Sequence, residues 1–170
     1  TFNPDGVLTG ARHITLAGDY AYVVTDKALV TVHLTKPWSV GKPCEVSNAK
    51  GGETCLDPRI TSVVPLRDPR ATAIQFRYLW VTTANGLELM DVTNLAQPKA
   101  VAGATVPLAD ARRVYLARTY AYVAAKSQGL VIVDITAPTR PSIYASYTAG
   151  GQLNDAEDVS SVQHLGHLRH

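Results

Sequence analysis

Asp110-Ala111-Arg112, Tyr120-Ala121-Tyr122-Val123 and Leu130-Val131-Ile132-Val133-Asp134 follow one another along a single stretch, and their pattern recurs twice upstream. Arg112 stands ten residues before Tyr122, as Arg12 stands ten before Tyr22 and Arg70 ten before Trp80. From each aromatic to the leucine opening the next apolar run is seven residues for Tyr22 and Trp80 and eight for Tyr122. A fixed period of this length marks a chain built from supersecondary repeats. A fourth copy starts at Asn154-Asp155-Ala156-Glu157-Asp158-Val159 and is incomplete at His170.

The runs are rich in Val, Ile, Tyr and Thr and are separated by turn signals such as Gly18-Asp19, Asn85-Gly86 and Gln128-Gly129, so each unit reads as four short strands. Connections this short make neighbouring strands antiparallel. Asn85-Gly86 predicts a tight primed turn. Leu130-Val131-Ile132-Val133 does not alternate with polar residues, which predicts a strand covered on both faces, as in sheets stacked face to face. Pro37, Pro98 and Pro141 fit the turn into each unit's outer strand. The fold class that follows is all-β: a β-propeller sector of about three four-stranded blades plus the start of a fourth, part of a larger propeller. The chain reads as one repeat domain over 1–170, with units at about 8–40, 66–107 and 108–150 and a partial unit at 151–170. Three units and a fragment are too few for an ordinary ring, and Tyr120, Val131 and Val133 of the third unit are expected to need a neighbour.

Composition narrows the function classes. Against 16 Lys and Arg stand 14 Asp and Glu, and the basic residues are scattered, so there is no electrostatic footprint for nucleic acid. No apolar stretch approaches the roughly 20 residues of a membrane helix. Thr1 suggests a processed chain or a fragment. Tyr22 and Trp80 are 58 residues apart, against 42 for Trp80 and Tyr122, and the excess matches the stretch 41–58 that holds Cys44 and Cys55. A local disulfide between these two is the leading reading, free thiols the other; the loop is expected to project from the connection between the first two blades. Neither cysteine belongs to a haem-attachment pattern, and no cofactor is called for.

The motif Leu130-Val131-Ile132-Val133-Asp134, with Asp110-Ala111-Arg112 and Tyr120-Ala121-Tyr122-Val123 before it, resembles the LVIVD-repeat family of bacterial and archaeal propeller-like proteins. The other units depart from it, to Leu87-Glu88-Leu89-Met90-Asp91 and Leu29-Val30-Thr31-Val32-His33. The resemblance spans roughly 10–159 outside the cysteine stretch. It implies a repeat scaffold of exported, periplasmic or cell-surface proteins, sometimes in company with multihaem cytochromes, with no general catalytic activity. Partners are then further blades of the same polypeptide, a second copy or other subunits.

Arg12, Arg70 and Arg112, with Asp68, Asp110 and Asp155, are expected at the rim of a central channel, because the first strand of a blade lies innermost. Such a ring could bind an anion or small polar ligand through charge-assisted hydrogen bonds, or the arginines and aspartates could pair with one another as architecture. Asp91 and Asp134 close the apolar strand, where their carboxylates can cap the turn at Thr93 and Thr136. His164, His167 and His170 are spaced by three and read as an irregular exposed tail; the alternative is a metal or haem site, which that spacing would suit on a helix. His13 and His33 read as packed or solvated. No nucleophile elbow, phosphate loop or paired acid is readable, so no catalytic residue is assigned. The function expected is a non-enzymatic interaction module; a channel-rim ligand-binding or catalytic propeller and a cytochrome accessory are the rivals.

Overall fold

The computed structural model describes residues 1–36 and 55–160. It is all-β apart from two single-turn 3₁₀ segments at Pro4–Gly6 and Ala149–Gly151. The first sheet runs β1 (His13–Ala17), β2 (Tyr20–Val24), β3 (Ala28–Lys36) and β4 (Cys55–Pro65) in that spatial order. The second holds β5 (Ala71–Gln75), β6 (Tyr78–Thr83), β7 (Gly86–Asp91) and an outer strand in two pieces, β8 (Lys99–Ala100) and β9 (Val106–Pro107), both paired to β7. The third repeats the first as β10 (Arg113–Ala117), β11 (Tyr120–Ala124), β12 (Leu130–Asp134) and β13 (Ser142–Tyr147). All pairings are antiparallel, and the inner hairpins share one register: Ile14 faces Val23, Thr72 faces Val81 and Val114 faces Val123. The inner strands β1, β5 and β10 lie side by side, so these are propeller-type blades fanned from a common inner edge.

The side-chain period of two assigns each blade a face toward the blade before it and a face toward the blade after it. Blade 1 turns Tyr22, Val24 and Leu29 onto Leu79, Val81, Met90 and Val92 of blade 2. Blade 2 turns Trp80, Leu87 and Leu89 onto Val114, Ala121, Val123, Val131 and Val133 of blade 3. The central aromatic is therefore the plug of each interface, and Tyr22 and Trp80 are fully buried. The Tyr22 hydroxyl donates to the carbonyl of Leu95, 2.9 Å away, and burial, followed by the neighbouring Tyr20, pushes its phenol up to about 12. On the outer side of blade 1, Val7 and Leu8 pack over Ala21, Val23, Val30 and Val32.

Four expectations are corrected. Leu29 to Val32 is covered on both faces, but in β12 only Val131 and Val133 are fully buried, while Leu130 and Ile132 are half-buried. The latter pair faces away from blade 2, where no described residue forms a further sheet. Val131 and Val133 already have their neighbour; the residues that lack one are Tyr122 and Ile132, with Tyr120 on the same face against Tyr144. The tight turn in blade 2 is Ala84-Asn85, because Gly86 is already paired to Thr83 in β7. Gly86 has φ +127, and a Cβ there would overlap the Val106 carbonyl oxygen of β9, so glycine is needed for close approach of the outer strand. Gly129 meets the Tyr147 carbonyl oxygen in the same way in blade 3.

The cysteine stretch was expected between blades 1 and 2. Residues on either side of it belong to β3 and β4 of one sheet, and Cys55 pairs in register with Lys36, so the stretch connects two strands inside blade 1. Cys44 and Pro37 lie outside the described residues, as do His164, His167 and His170, and the disulfide reading is not addressed by the fold. Pro98 and Pro141 immediately precede β8 and β13.

Candidate functional site: the arginine–aspartate rim

Each repeat arginine is placed by its own backbone. The N–H groups of Arg12, Arg70 and Arg112 donate to the carbonyls of Val24, Thr82 and Ala124 at 2.8 Å, closing the mouth of each inner hairpin. Arg12 pairs with Asp68 of the next blade and reaches the Pro69 carbonyl at 3.4 Å. Arg70 holds Asp68 through Nε and Nη2 (3.1 and 2.8 Å), and through Nη1 it reaches Asp110 of the next blade at 2.6 Å and the Ala111 carbonyl at 2.8 Å. Arg112 returns to Asp110 at 3.0 Å. Five of the six residues singled out in the sequence thus form one alternating ladder across three blades. Asp155 stands apart from it and accepts from Lys126 Nζ at 2.7 Å; Glu157 pairs with the same ammonium.

The ladder's electrostatics follow from these bonds. The Arg12 guanidinium, then Arg70, holds the Asp68 carboxyl below the usual carboxylate range against the partial cost of burial. Lys126 does the same for Asp155. A cleft of about 310 Å³ opens among Arg12, Asp68, Arg70, Arg112, Arg113 and Glu157. Four guanidinium groups reach it, yet Asp68, Asp110 and Asp158 lie against them, with Arg113 3.5 Å from Asp158, and Glu157 lines it while paired to Lys126. Positive and negative groups balance, so most donor capacity is spent within the rim. Sequence reading missed Arg113, Lys126, Glu157 and Asp158; the available signal was Glu157 occupying the register of the repeat arginine.

Below the rim, the blade 1/blade 2 contact is polar. Thr72 N–H donates to His13 Nδ1 at 3.2 Å, and the Thr15 and Thr72 hydroxyls are 2.7 Å apart. The imidazole accepts through Nδ1, so it is held neutral, and burial first and Arg113 second lower its pKa below 6.5, opposed by Asp158. A base lowered in the folded state carries fewer protons there than in the unfolded chain. The stability this supplies is fully present above 6.5 and is lost as pH falls below it toward the folded-state pKa. The thermal midpoint is expected to fall from about pH 7 to about pH 5, and His13→Gln should flatten that slope; an unchanged slope in the variant would assign the loss to other groups.

At the opposite end of the apolar strands, Asp91 Oδ1 accepts from the Thr93 hydroxyl (2.6 Å) and N–H (2.8 Å), and Asp134 Oδ1 from the Thr136 N–H (2.8 Å). Both carboxyls are lowered by these bonds, the contributions of Thr93 and Thr136 coming first. They cap turns. His33, which takes this position in blade 1, instead stacks on Tyr20 with ring centroids 4.7 Å apart.

Stacked four-stranded antiparallel blades, plugged by one aromatic each and stitched by an arginine–aspartate step, define a propeller-type repeat protein. The LVIVD repeat family model matches residues 10–37 and 109–149, and these two segments are LVIVD repeats, a structural repeat. Blade 2 lies outside both matched segments but adopts the same sheet order and inner-hairpin register. Comparison with curated proteins found no match, and neither did comparison with solved structures.

Proposed function

We propose that this chain is a non-enzymatic structural and interaction module of an exported or cell-surface propeller protein, acting through packing against further blades or partner subunits. The observation that carries this is the open face of blade 3. Tyr122 occupies the position of Tyr22 and Trp80, which plug the two existing interfaces, yet it is only half-buried. Beside it, Tyr144 and Tyr147 of β13 are 66% and 59% exposed, and contiguous apolar surface of this kind marks an interaction site. The ladder supports the same reading, since Arg12 and Arg70 are engaged in joining blades. Placement outside the cytoplasm draws on the family resemblance and on two cysteines within one short stretch; two titratable thiols in native protein would remove the second support.

Sedimentation of the 170-residue chain at rising micromolar concentration tests the reading. Association is expected, and Tyr122→Glu should weaken it by placing a charge on the face. A chain that stays monomeric throughout would overturn the interaction role.

A further inference from the structure

Two blade interfaces show a common rule, and the third blade shows the same rule left unfinished. In each interface the arginine of one blade reaches forward to the aspartate of the next and to the carbonyl one residue later: Arg12 to Asp68 and Pro69, Arg70 to Asp110 and Ala111. The corresponding forward partners of Arg112 are Asp155 and Ala156. Among the described residues Arg112 instead keeps only its backward side-chain bond to Asp110, and its Nε is buried with no hydrogen-bond partner there. The segment that should carry the acceptors has arrived: Lys126 N–H donates to the Ala156 carbonyl at 3.0 Å, and Asp155 is held by the Lys126 ammonium. Leu153-Asn154-Asp155-Ala156 repeats Leu108-Ala109-Asp110-Ala111, the approach to blade 3.

We infer that the Tyr122 face of blade 3 is the seat of one more blade of this polypeptide, led in by Leu153–Ala156, and that Arg112 is the residue that clamps it. The inference rests on the docking role proposed above and names its occupant. Continuity with the existing interfaces decides for a blade: the face repeats the Tyr22 face in position and chemistry, and blade 2 already receives a tyrosine face. A blade seated here would bring Asp155 and the Ala156 carbonyl to the donors Arg112 has left over. It would also cover Ile132 as Leu89 is covered in blade 2.

The test extends the protein by its own repeat. Residues 157–170 are replaced by a second copy of 70–111, the blade that receives Tyr22, and labelling of Tyr122 by hydroxyl radicals is read by mass spectrometry beside the 170-residue chain. Labelling is expected to fall roughly tenfold in the extended chain, the factor that a local opening cost of about 1.4 kcal/mol imposes. Arg112→Ala should restore labelling in the extended chain and leave it unchanged in the 170-residue chain. Equal labelling of Tyr122 in both chains overturns the inference. Both chains are labelled below the concentration at which the 170-residue chain associates. Association of the extended chain that Tyr122→Glu still weakens also overturns the inference, because the added repeat then leaves the face open to a second copy; that outcome leaves the docking role standing. Far-UV circular dichroism of both chains and of the variant guards against misfolding.

Discussion

Trp80→Ala is expected to remove about 3–5 kcal/mol of stability, the range for truncating a large aromatic in a core that cannot collapse around the space. Trp80 is 1% exposed and sits where Leu87 and Leu89 meet the facing valines of blade 3. Losing it empties an interface between two sheets, neither of which can move inward without breaking the register of the other. Against a total of roughly 5–15 kcal/mol for a domain, such a loss separates blade 3 from the rest or unfolds the chain. Tyr122→Ala at the equivalent position should cost only about 1 kcal/mol, because no neighbour packs on that face. Urea denaturation followed by far-UV circular dichroism compares the two. Equal costs would mean that the Tyr122 face is already covered in solution.

Arg70→Ala comes next, with an expected cost of about 2–3 kcal/mol. Its side chain is 15% exposed and its guanidinium bonds to two carboxylates and one carbonyl, so its removal leaves Asp68 and Asp110 with one arginine apiece. Those carboxylates are 39% and 28% exposed, and solvent screening keeps the figure below that of a fully buried pair. Arg70→Lys should recover little, since one ammonium cannot serve both blades in the fork geometry of guanidinium. Arg12→Ala, at the exposed end of the ladder, should cost less than half as much as Arg70→Ala. If the two were equal, the ladder would not act as a chain of interlocking steps.

The same ladder argues against reading every repeated charge as a receptor. Arg12, Arg70 and Arg112 were legible as one repeated position from their fixed spacing to the central aromatic, and each closes the inner hairpin of its blade. That they could pair with the repeat aspartates was legible too; which aspartate each takes was not, because Arg12 and Arg70 reach forward to Asp68 and Asp110, 56 and 40 positions away, while Arg112 turns back to Asp110. Asp155 has the right spacing but a different partner, Lys126, which no repeat register pointed to. The turn-capping role of Asp91 and Asp134 was legible, since an aspartate two residues before a threonine N–H needs only local geometry.

Sequence alone determined the strand class, the blade period and the position of each plug aromatic, because side-chain alternation, turn residues and repeat spacing are local properties carried by every unit. Tertiary structure decided which face of each apolar run is covered. Leu130-Val131-Ile132-Val133 and Leu29-Val30-Thr31-Val32 read alike as letters, yet one strand is closed on both sides and the other on one. Burial of a blade face is a property of the neighbouring sheet, and no pattern within a strand records whether that neighbour is present.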